Sequence, residues 1–513
     1  MHDWTSQQRT TPHERRGSRP KSWAARLGGV PEWVLIGIAA GAFPVLATAA
    51  GLEMRYLVYG IVGIALIGVL GYVVAFVGSV ERLLWILLVL SLQLELAFTP
   101  IMTHDEKLAG PFGIMITPTL LCALLLVGIW SSARLWGDGD GLRTDRNLVI
   151  GAAAVIGTAM LSAAFAMGRM LSLFGIFELV SVALTALVAN RACSDRSNIS
   201  ILRTALFVSI FVQSTFIIIE QTLGIQISLA RGVNVAYGWA GGNEGRFAGT
   251  FAAPSCAATF LVVCLLFLFR RLSSKQPPVH TTVMWGLFAL GFLALLLTRT
   301  RSGWIAFTIG CAGLAWQAFR DGTLSRQMAN RLLVGGLVAL LIAWPLVSQR
   351  LSDDHKGAAD TRGNLVRIAV EMIKVNPIAG VGINTATTQV YNYAARAGIG
   401  GWVFIVHNQF LLVGAETGLP GLAALVFLAW VGLRAARRCM TSEDVLIKET
   451  GGALFWSLIS MVWALNLDHV SGTVTYALFW FLIGAACGLD TLRQRDSRGV
   501  MDRPRVPAAA FAA

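Results

Sequence analysis

Long runs of apolar residues, separated by short polar or charged connections, dominate the chain from residue 33 onward. A run of about 20 apolar residues crosses a hydrocarbon core as a helix, because a helix satisfies its own backbone hydrogen bonds. The pattern predicts an all-α polytopic membrane protein with about fourteen transmembrane helices. They are expected to begin near Trp33, Arg55, Leu83, Ile114, Asn147, Leu171, Ile201, Phe251, Thr282, Ser302, Leu332, Ile405, Gly451 and Thr473.

The third run, from Leu83 to Phe98, departs most from this pattern. It is short, and it contains Gln93 and Glu95. Polar and ionisable side chains are costly inside a bilayer unless they have partners. We count this run among the fourteen predicted spans.

Composition and charge predict the environment and orientation of these helices. Of 513 residues, 55% are hydrophobic and 13% charged, which leaves too little polar surface for a soluble fold. Lys and Arg are retained on the cytoplasmic side of membranes, and an inside N-terminus places most of the 41 Lys and Arg residues there. Both termini are therefore expected in the cytoplasm, with one large outer loop at 349–404. The net charge of +13 reflects this topology, so no nucleic-acid partner is expected.

The sequence lacks the motifs of common soluble enzymes. The seven cysteines lie in or beside predicted spans without CxxC spacing, so no disulfide framework is expected. No zinc-protease motif, P-loop or glycine-rich dinucleotide turn occurs. The candidate chemistry lies instead where predicted outer connections meet the membrane.

The first candidate segment runs from Arg246 to Pro254, before the eighth span. An arginine at this depth is costly unless it pairs with an anion. The alternative interpretation is an interfacial arginine that reaches lipid headgroups, followed by a turn.

The second candidate segment joins the ninth and tenth spans and carries Arg299 and Arg301 in a short outer turn. Positive residues there oppose the positive-inside bias. Planar guanidinium groups bind phosphate bidentately and remain charged, so two of them suit a diphosphate. Contact with headgroups is again the alternative.

The long outer loop contains a third candidate segment. From Asn364 to Val375, apolar residues recur at helical spacing, which predicts an amphipathic helix lying flat on the membrane. Its apolar positions are Leu365, Ile368, Met372 and Val375, and its opposite face carries Arg362, Arg367, Glu371 and Lys374.

The chain then re-enters the bilayer through a segment that contains His407 and Asn408 at the water boundary and Glu416 deeper in the span. Intramembrane carboxylates usually face a cavity or a partner. An isolated interfacial histidine is more often structural than catalytic, and Glu416 has a comparable packing interpretation beside the break at Gly418 and Pro420.

Together these segments resemble the signature of the O-antigen ligase and polymerase family of bacterial envelope polysaccharide enzymes. The resemblance lies between about residues 240 and 425. Its pieces are Arg246-Phe-Ala-Gly-Thr-Phe-Ala-Ala-Pro254, Thr300-Arg-Ser-Gly-Trp304, Asn376-Pro-Ile-Ala-Gly-Val-Gly-Ile-Asn384, His407-Asn-Gln-Phe-Leu411 and Glu416-Thr-Gly-Leu-Pro-Gly421.

The resemblance implies a GT-C-like inverting glycosyltransferase that uses no metal or other cofactor. It would transfer a glycan from undecaprenyl diphosphate to a sugar hydroxyl at the periplasmic face of the bacterial inner membrane. Expected partners are this lipid-linked glycan, a polysaccharide or lipid A core acceptor, membrane lipids, and the chain-length regulator and flippase proteins of such a pathway.

Residue roles follow from the chemistry of this reaction. Negative charge develops on the leaving diphosphate, so a fixed cationic clamp lowers the barrier. Arg246 and Arg301 are the first candidates for that clamp. His407 is the candidate base, because imidazole titrates near neutrality. Further candidates for substrate binding or orientation are Arg299, Arg362, Arg367, Asn408 and Glu416.

Two features of the sequence differ from the expected patterns. The family often has Ser-Arg where this chain has Thr300-Arg301, and the additional Arg299 leaves open which guanidinium meets phosphate. A metal-dependent enzyme would have acidic residues in its first outer loop, where this chain has only Glu53. The Asp353-Asp354 pair is interpreted as solvated surface.

Three alternatives remain open. Within the family, the predicted fourteen spans favour a polymerase of O-antigen or exopolysaccharide repeats over an O-antigen ligase. A lipid-linked oligosaccharide flippase would have repeated halves, which the sequence does not show, and a membrane scaffold would need no outer arginine cluster.

The predicted regions are a disordered basic tail (1–32), an N-terminal bundle (33–240), a catalytic region (241–425), C-terminal helices (426–492) and a cytoplasmic tail (493–513).

Overall fold

The computed structural model describes residues 79–103, 112–135, 144–224, 246–274, 280–322, 358–400, 406–467 and 473–501, with Trp344 and Ser348. Within them the secondary structure is helical, apart from two isolated antiparallel bridges. The helices are α1 (Val80–Ser91), α2 (Pro118–Leu135), α3 (Arg146–Phe165), α4 (Arg169–Ala192), α5 (Arg196–Leu223), α6 (Pro254–Leu272), α7 (Thr281–Leu297), α8 (Arg301–Arg320), α9 (Ala358–Val375), α10 (Ala386–Arg396), α11 (Gln409–Cys439), α12 (Val445–Leu467) and α13 (Thr473–Met501).

The chain divides into two compact units, Met1–Leu83 and Leu84–Ala513. Of the first unit, the structure describes residues 79–83, which include the first residues of α1. In the second unit, helices α6 and α13 are the most enclosed, and nearly every residue of α6 is buried. The other long helices pack around these two, so the bundle has a continuous apolar core.

Seven described helices are long and apolar enough to cross a membrane. They are α3, α4, α5, α6, α11, α12 and residues Val474–Ser497 of α13, while Pro118–Arg134 and Thr281–Leu297 are shorter apolar helices. The all-helical class and the multi-pass membrane character predicted from the sequence are therefore confirmed. The predicted spans that begin near Trp33, Arg55 and Leu332 lie outside the described residues.

The predicted third span is wrong as a single helix. Helix α1 ends at Ser91, before Gln93 and Glu95. The chain then turns and forms antiparallel bridges from Phe98 to Ile116 and from Met102 to Gly113. Both polar side chains are buried against the protein instead of crossing lipid.

Basic helix ends meet at one end of the bundle, linked by ion pairs. Arg203 at the start of α5 lies 3.2 Å from Glu449 at the start of α12. Arg438, in the last turn of α11, lies 3.1 Å from buried Asp490 in the C-terminal half of α13. The charge pattern predicts that these helix ends face the cytoplasm, and we call this end of the bundle the basic end. We call the opposite end of the bundle the motif end.

A second apolar cluster forms at the motif end. The inner face of α9 packs against α10 and the first turns of α11, and it buries Leu365, Ile368 and Met372. Val375 is 41% exposed. The predicted amphipathic helix is therefore present, but the expectation that its apolar face rests on the membrane is wrong, because the protein covers most of that face.

Candidate functional site

The segment from Arg246 to Pro254, called the Arg246 segment, is hydrogen-bonded to the turn between α7 and α8. Arg246 Nε donates to the Thr298 carbonyl oxygen at 3.5 Å, and its Nη2 donates to Thr300 Oγ1 at 3.4 Å. The partly exposed Arg299 and Arg301 flank this contact. The fold therefore brings together the first two segments singled out in the sequence. We call residues 298–301 the arginine turn.

The arginine turn is rigid for local reasons. Thr298 and Thr300 are buried, and Thr298 Oγ1 donates to the Leu295 carbonyl at 2.7 Å. Arg299 adopts a left-handed backbone conformation with φ 49°, which reverses the chain between the two helices. Arg301 then begins α8, whose N-terminal dipole adds positive potential beside the guanidinium groups.

Two buried side chains of α5 hold the segment that follows Arg246. Glu220 Oε2 accepts from the backbone N–H of Ala248 at 3.1 Å and of Gly249 at 2.7 Å. Gln213 Nε2 donates to the Ala248 carbonyl at 2.7 Å, and its Oε1 accepts from Thr250 Oγ1 at 2.6 Å. Sequence reasoning missed both residues, because each looked like an isolated polar residue in an apolar run.

The turn after α1 holds the same segment from another side. Glu95 Oε2 accepts from the Ala252 N–H at 2.7 Å, and Thr250 Oγ1 also contacts the Gln93 carbonyl oxygen. Burial raises the pKa of the Glu95 carboxyl above its usual range, and the Ala252 N–H offsets part of that rise. Gln93 and Glu95, the polar residues of the predicted third span, thus help to hold the Arg246 segment in place.

A second assembly forms where α11 breaks. Gly418 has φ 74° and ψ −177°, and Pro420 has no N–H, so backbone groups near the break lose their helical partners. The 376–385 loop supplies new partners. The N–H groups of Val381 and Gly382 donate to the carbonyls of Ala415 and Glu416 at 2.9 and 3.1 Å, and Leu419 N–H donates to Pro377 at 2.8 Å.

The Glu416 side chain belongs to this second assembly. Its Oε1 accepts from the N–H of Ala386, the first residue of α10, at 3.2 Å. Ser162 Oγ of α3 donates to the Glu416 carbonyl at 2.6 Å. The Glu178 carboxyl on α4 also interacts electrostatically with Glu416. The predicted substrate-binding carboxylate therefore stabilises the start of an outer-loop helix.

His407 and Asn408 lie directly before α11. Asn408 is the N-cap of that helix, and its side chain accepts from the Leu411 N–H at 3.0 Å. Its Nδ2 also donates to Asn466, near the end of α12, at 3.1 and 3.2 Å. Asn408 thus has a structural role at the junction of two helices. His407 is partly exposed beside it.

The helix pairing brings His407 and the arginine turn to the same end of the bundle. Ser460 Oγ of α12 donates to the Ala306 carbonyl of α8 at 2.8 Å. Ser460 lies near the end of α12 and Ala306 near the start of α8, so the end of α12 approaches Arg301. Asn466, in the last turn of α12, accepts hydrogen bonds from the Asn408 side chain. The motif end therefore gathers the candidate base and the candidate clamp.

Arg362 and Arg367 lie on the exposed face of α9. They face away from the cluster that buries Leu365 and Ile368. In the part of the chain that the structure describes, no three His, Cys, Asp or Glu residues form a group that could hold a metal ion.

These features define a multi-helical membrane protein with an arginine cluster and a histidine at one end. Residues 286–426 match the family model described as O-antigen ligase. Over these residues the match confirms the resemblance predicted from the motifs. A search of curated proteins finds no significant match. The matched region contains the arginine turn, His407 and Glu416, whereas Arg246 precedes it.

Proposed function

We propose that the protein transfers a glycan from undecaprenyl diphosphate to a sugar hydroxyl at the periplasmic face of the bacterial inner membrane. The observation that carries the proposal is the contact between Arg246 and the arginine turn. Arg246 contacts Thr298 and Thr300 of the turn that also carries Arg299 and Arg301. The family match supports a lipid-linked glycan as the donor.

In this proposal the arginine cluster binds the diphosphate and stabilises the charge that develops as the anomeric C–O bond breaks. His407 accepts the proton of the acceptor hydroxyl as its oxygen attacks the anomeric carbon. A single displacement of this kind inverts the anomeric configuration and needs no metal ion. Arg362 and Arg367 are assigned to the glycan or to headgroups, because they are exposed on α9.

The catalytic region proposed from the sequence, 241–425, contains every residue of this mechanism. Its outer loop 349–404 contains α9, α10 and the 376–385 loop that joins α11. Of the two family activities, we propose polymerisation of O-antigen or exopolysaccharide repeats, with ligation to lipid A core as the alternative. A flippase is the alternative of another class.

The first test is mass spectrometry of the lipid-linked glycans in a strain that lacks the gene, alongside a gel of its surface polysaccharide. Single repeats on the carrier, located outside, support a polymerase. Long chains on the carrier with bare lipid A core support a ligase. Repeats trapped in the inner leaflet indicate a flippase and would overturn the proposed transferase.

The second test uses paired variants in the same strain. Arg301→Ala and His407→Ala are expected to abolish transfer while the protein accumulates normally. Arg320→Ala, at the opposite end of α8, and His280→Ala, before α7, are matched controls that should retain transfer. Wild-type glycan output from either site variant would refute its assigned role. EDTA should leave activity unchanged, and rescue of a metal-stripped enzyme by Mn²⁺ or Mg²⁺ would refute the metal-free mechanism.

A further inference from the structure

The backbone of the segment after Arg246 donates to buried side chains of the protein itself. Ala248 and Gly249 donate to Glu220, Thr250 donates to Gln213 Oε1 at 3.4 Å, and Ala252 donates to Glu95. Gly249 has φ 61°. Successive N–H groups in such a conformation form a concave nest that attracts anions. Here the Glu220 carboxylate occupies that nest.

The position of Glu220 in α5 supports a specific role for its charge. It lies in the last turn of the helix and is 2% exposed. Both conditions disfavour a carboxylate, because the C-terminal end of a helix carries partial negative charge and burial removes hydration. Charge-assisted hydrogen bonds from two N–H groups offset that cost. The hydrogen bonds from Ala248 and Gly249 therefore stabilise the Glu220 carboxylate at this position.

The same hydrogen bonds determine which groups beside Arg246 are available to bind an anion. Because the nest is filled by Glu220, a diphosphate cannot use the N–H groups of Ala248 and Gly249. In the proposed function the diphosphate is held by the arginine side chains, foremost Arg246, which begins the held segment. The direction in which Arg246 leaves the segment then depends on Glu220, Gln213 and Glu95.

We propose that Glu220 is a positioning residue for the transfer reaction, which fixes the Arg246 guanidinium by occupying the backbone nest of the following segment. Gln213 and Glu95 complete this frame from two other directions. The inference rests on the proposed function, since it assigns Glu220 a role only through the diphosphate clamp. It predicts a defect in the chemical step beyond any loss of stability.

The test uses the purified full-length protein in nanodiscs, with the lipid-linked glycan extracted from the deletion strain as donor. For Glu220→Ala we expect kcat to fall about 100-fold, because small displacements of a catalytic group have effects of this size. The KM for the donor should change by less than about threefold, since the clamp acts mainly on charge in the transition state. Glu220→Gln keeps one acceptor oxygen and should give an intermediate kcat.

Two further variants separate positioning from folding. Gly249→Ala leaves all charges in place, but its Cβ would lie 2.6 Å from Gln213 Nε2, so it should lower kcat in the same way. Glu449→Gln removes a buried carboxylate at the basic end and should lower the melting temperature with kcat and KM unchanged. It measures the effect of stability alone.

The outcomes are distinct. Wild-type kcat in Glu220→Gln or in Gly249→Ala, or a loss of stability alone as in Glu449→Gln, overturns the positioning role of Glu220. If Arg246→Ala itself retains full transfer, the proposed clamp is wrong and the function assigned to this site fails with it. An inactive Arg246→Ala together with normal Glu220 variants overturns this inference alone.

Discussion

Replacing Gly418 by alanine tests whether the break in α11 holds the outer loop in place. Gly418 combines φ 74° with ψ −177°, a backbone conformation that is essentially restricted to glycine. A Cβ at this position would lie 2.4 Å from the Ile378 carbonyl oxygen and 2.6 Å from its carbonyl carbon. Both atoms are backbone, so no side-chain rotation relieves the clash.

The magnitude follows from the strain and from the hydrogen bonds that the clash breaks. A side chain in this conformation costs about 1–3 kcal/mol. Three backbone hydrogen bonds connect the 376–385 loop to the break, and each contributes about 1 kcal/mol. Partial loss of these terms disfavours the docked loop by roughly 3 kcal/mol, which lowers the equilibrium constant for docking about 100-fold at 1.4 kcal/mol for each factor of ten.

The assay combines hydrogen exchange with glycan output in the complemented deletion strain. The N–H groups of Val381, Gly382 and Leu419 should lose protection in Gly418→Ala, and output should fall, because the loop that leads to α10 is no longer fixed. Gly398→Ala is the matched control. Gly398 also has positive φ, 70°, but an added Cβ meets nothing within 4 Å, so only the local strain is introduced.

Two results would refute this reasoning. If Gly418→Ala retains protection in the 376–385 loop, the break does not control docking. If Gly398→Ala gives the same loss as Gly418→Ala, backbone strain alone explains the effect and the contact with Ile378 is irrelevant.

Three further predictions concern other polar groups. Burial raises the pKa of Glu95, so its contribution to stability is present below the usual glutamate pKa and is lost as the pH rises through the raised pKa. Glu95→Gln should therefore reduce the fall of the melting temperature as the pH rises above the usual glutamate range, and an unchanged slope would contradict this. Glu449→Gln leaves Arg203 buried without its 3.2 Å partner and should cost about 3–5 kcal/mol of unfolding free energy, whereas exposed Glu443→Gln should have little effect. Asn408→Ala removes the helix cap on Leu411 N–H and should cost about 1 kcal/mol; loss of transfer without loss of stability would instead indicate a substrate role.

Much of the candidate site is predictable because its residue types are unusual for their surroundings. Arg299 and Arg301 are notable as charges placed against the positive-inside bias, and Arg246 as an arginine at a depth where charge is costly. The Gly418 and Pro420 pair predicts a break in α11, which the structure contains. These signals depend only on a residue and its neighbours in the chain.

Predictions failed where the outcome depended on a distant partner. Gln93 and Glu95 were assigned to a membrane span, but they turn toward residues near 250. The apolar face of α9 was assigned to the membrane surface, but α10 and α11 cover it. Helical periodicity shows that a face is apolar and does not show whether lipid or protein covers it.

The sequence by itself determined the helical membrane class and the segments that carry the family-like motifs, because apolar runs and local motifs are properties of contiguous residues. Only the tertiary structure decided that Glu220 and Gln213 hold the Arg246 segment and that the arginine turn lies against it. A buried carboxylate is stabilised by whichever N–H groups the fold brings to it. For Glu220 those groups lie 28 and 29 residues away in the chain, and for Glu95 the partner is 157 residues away, so no local pattern specifies them.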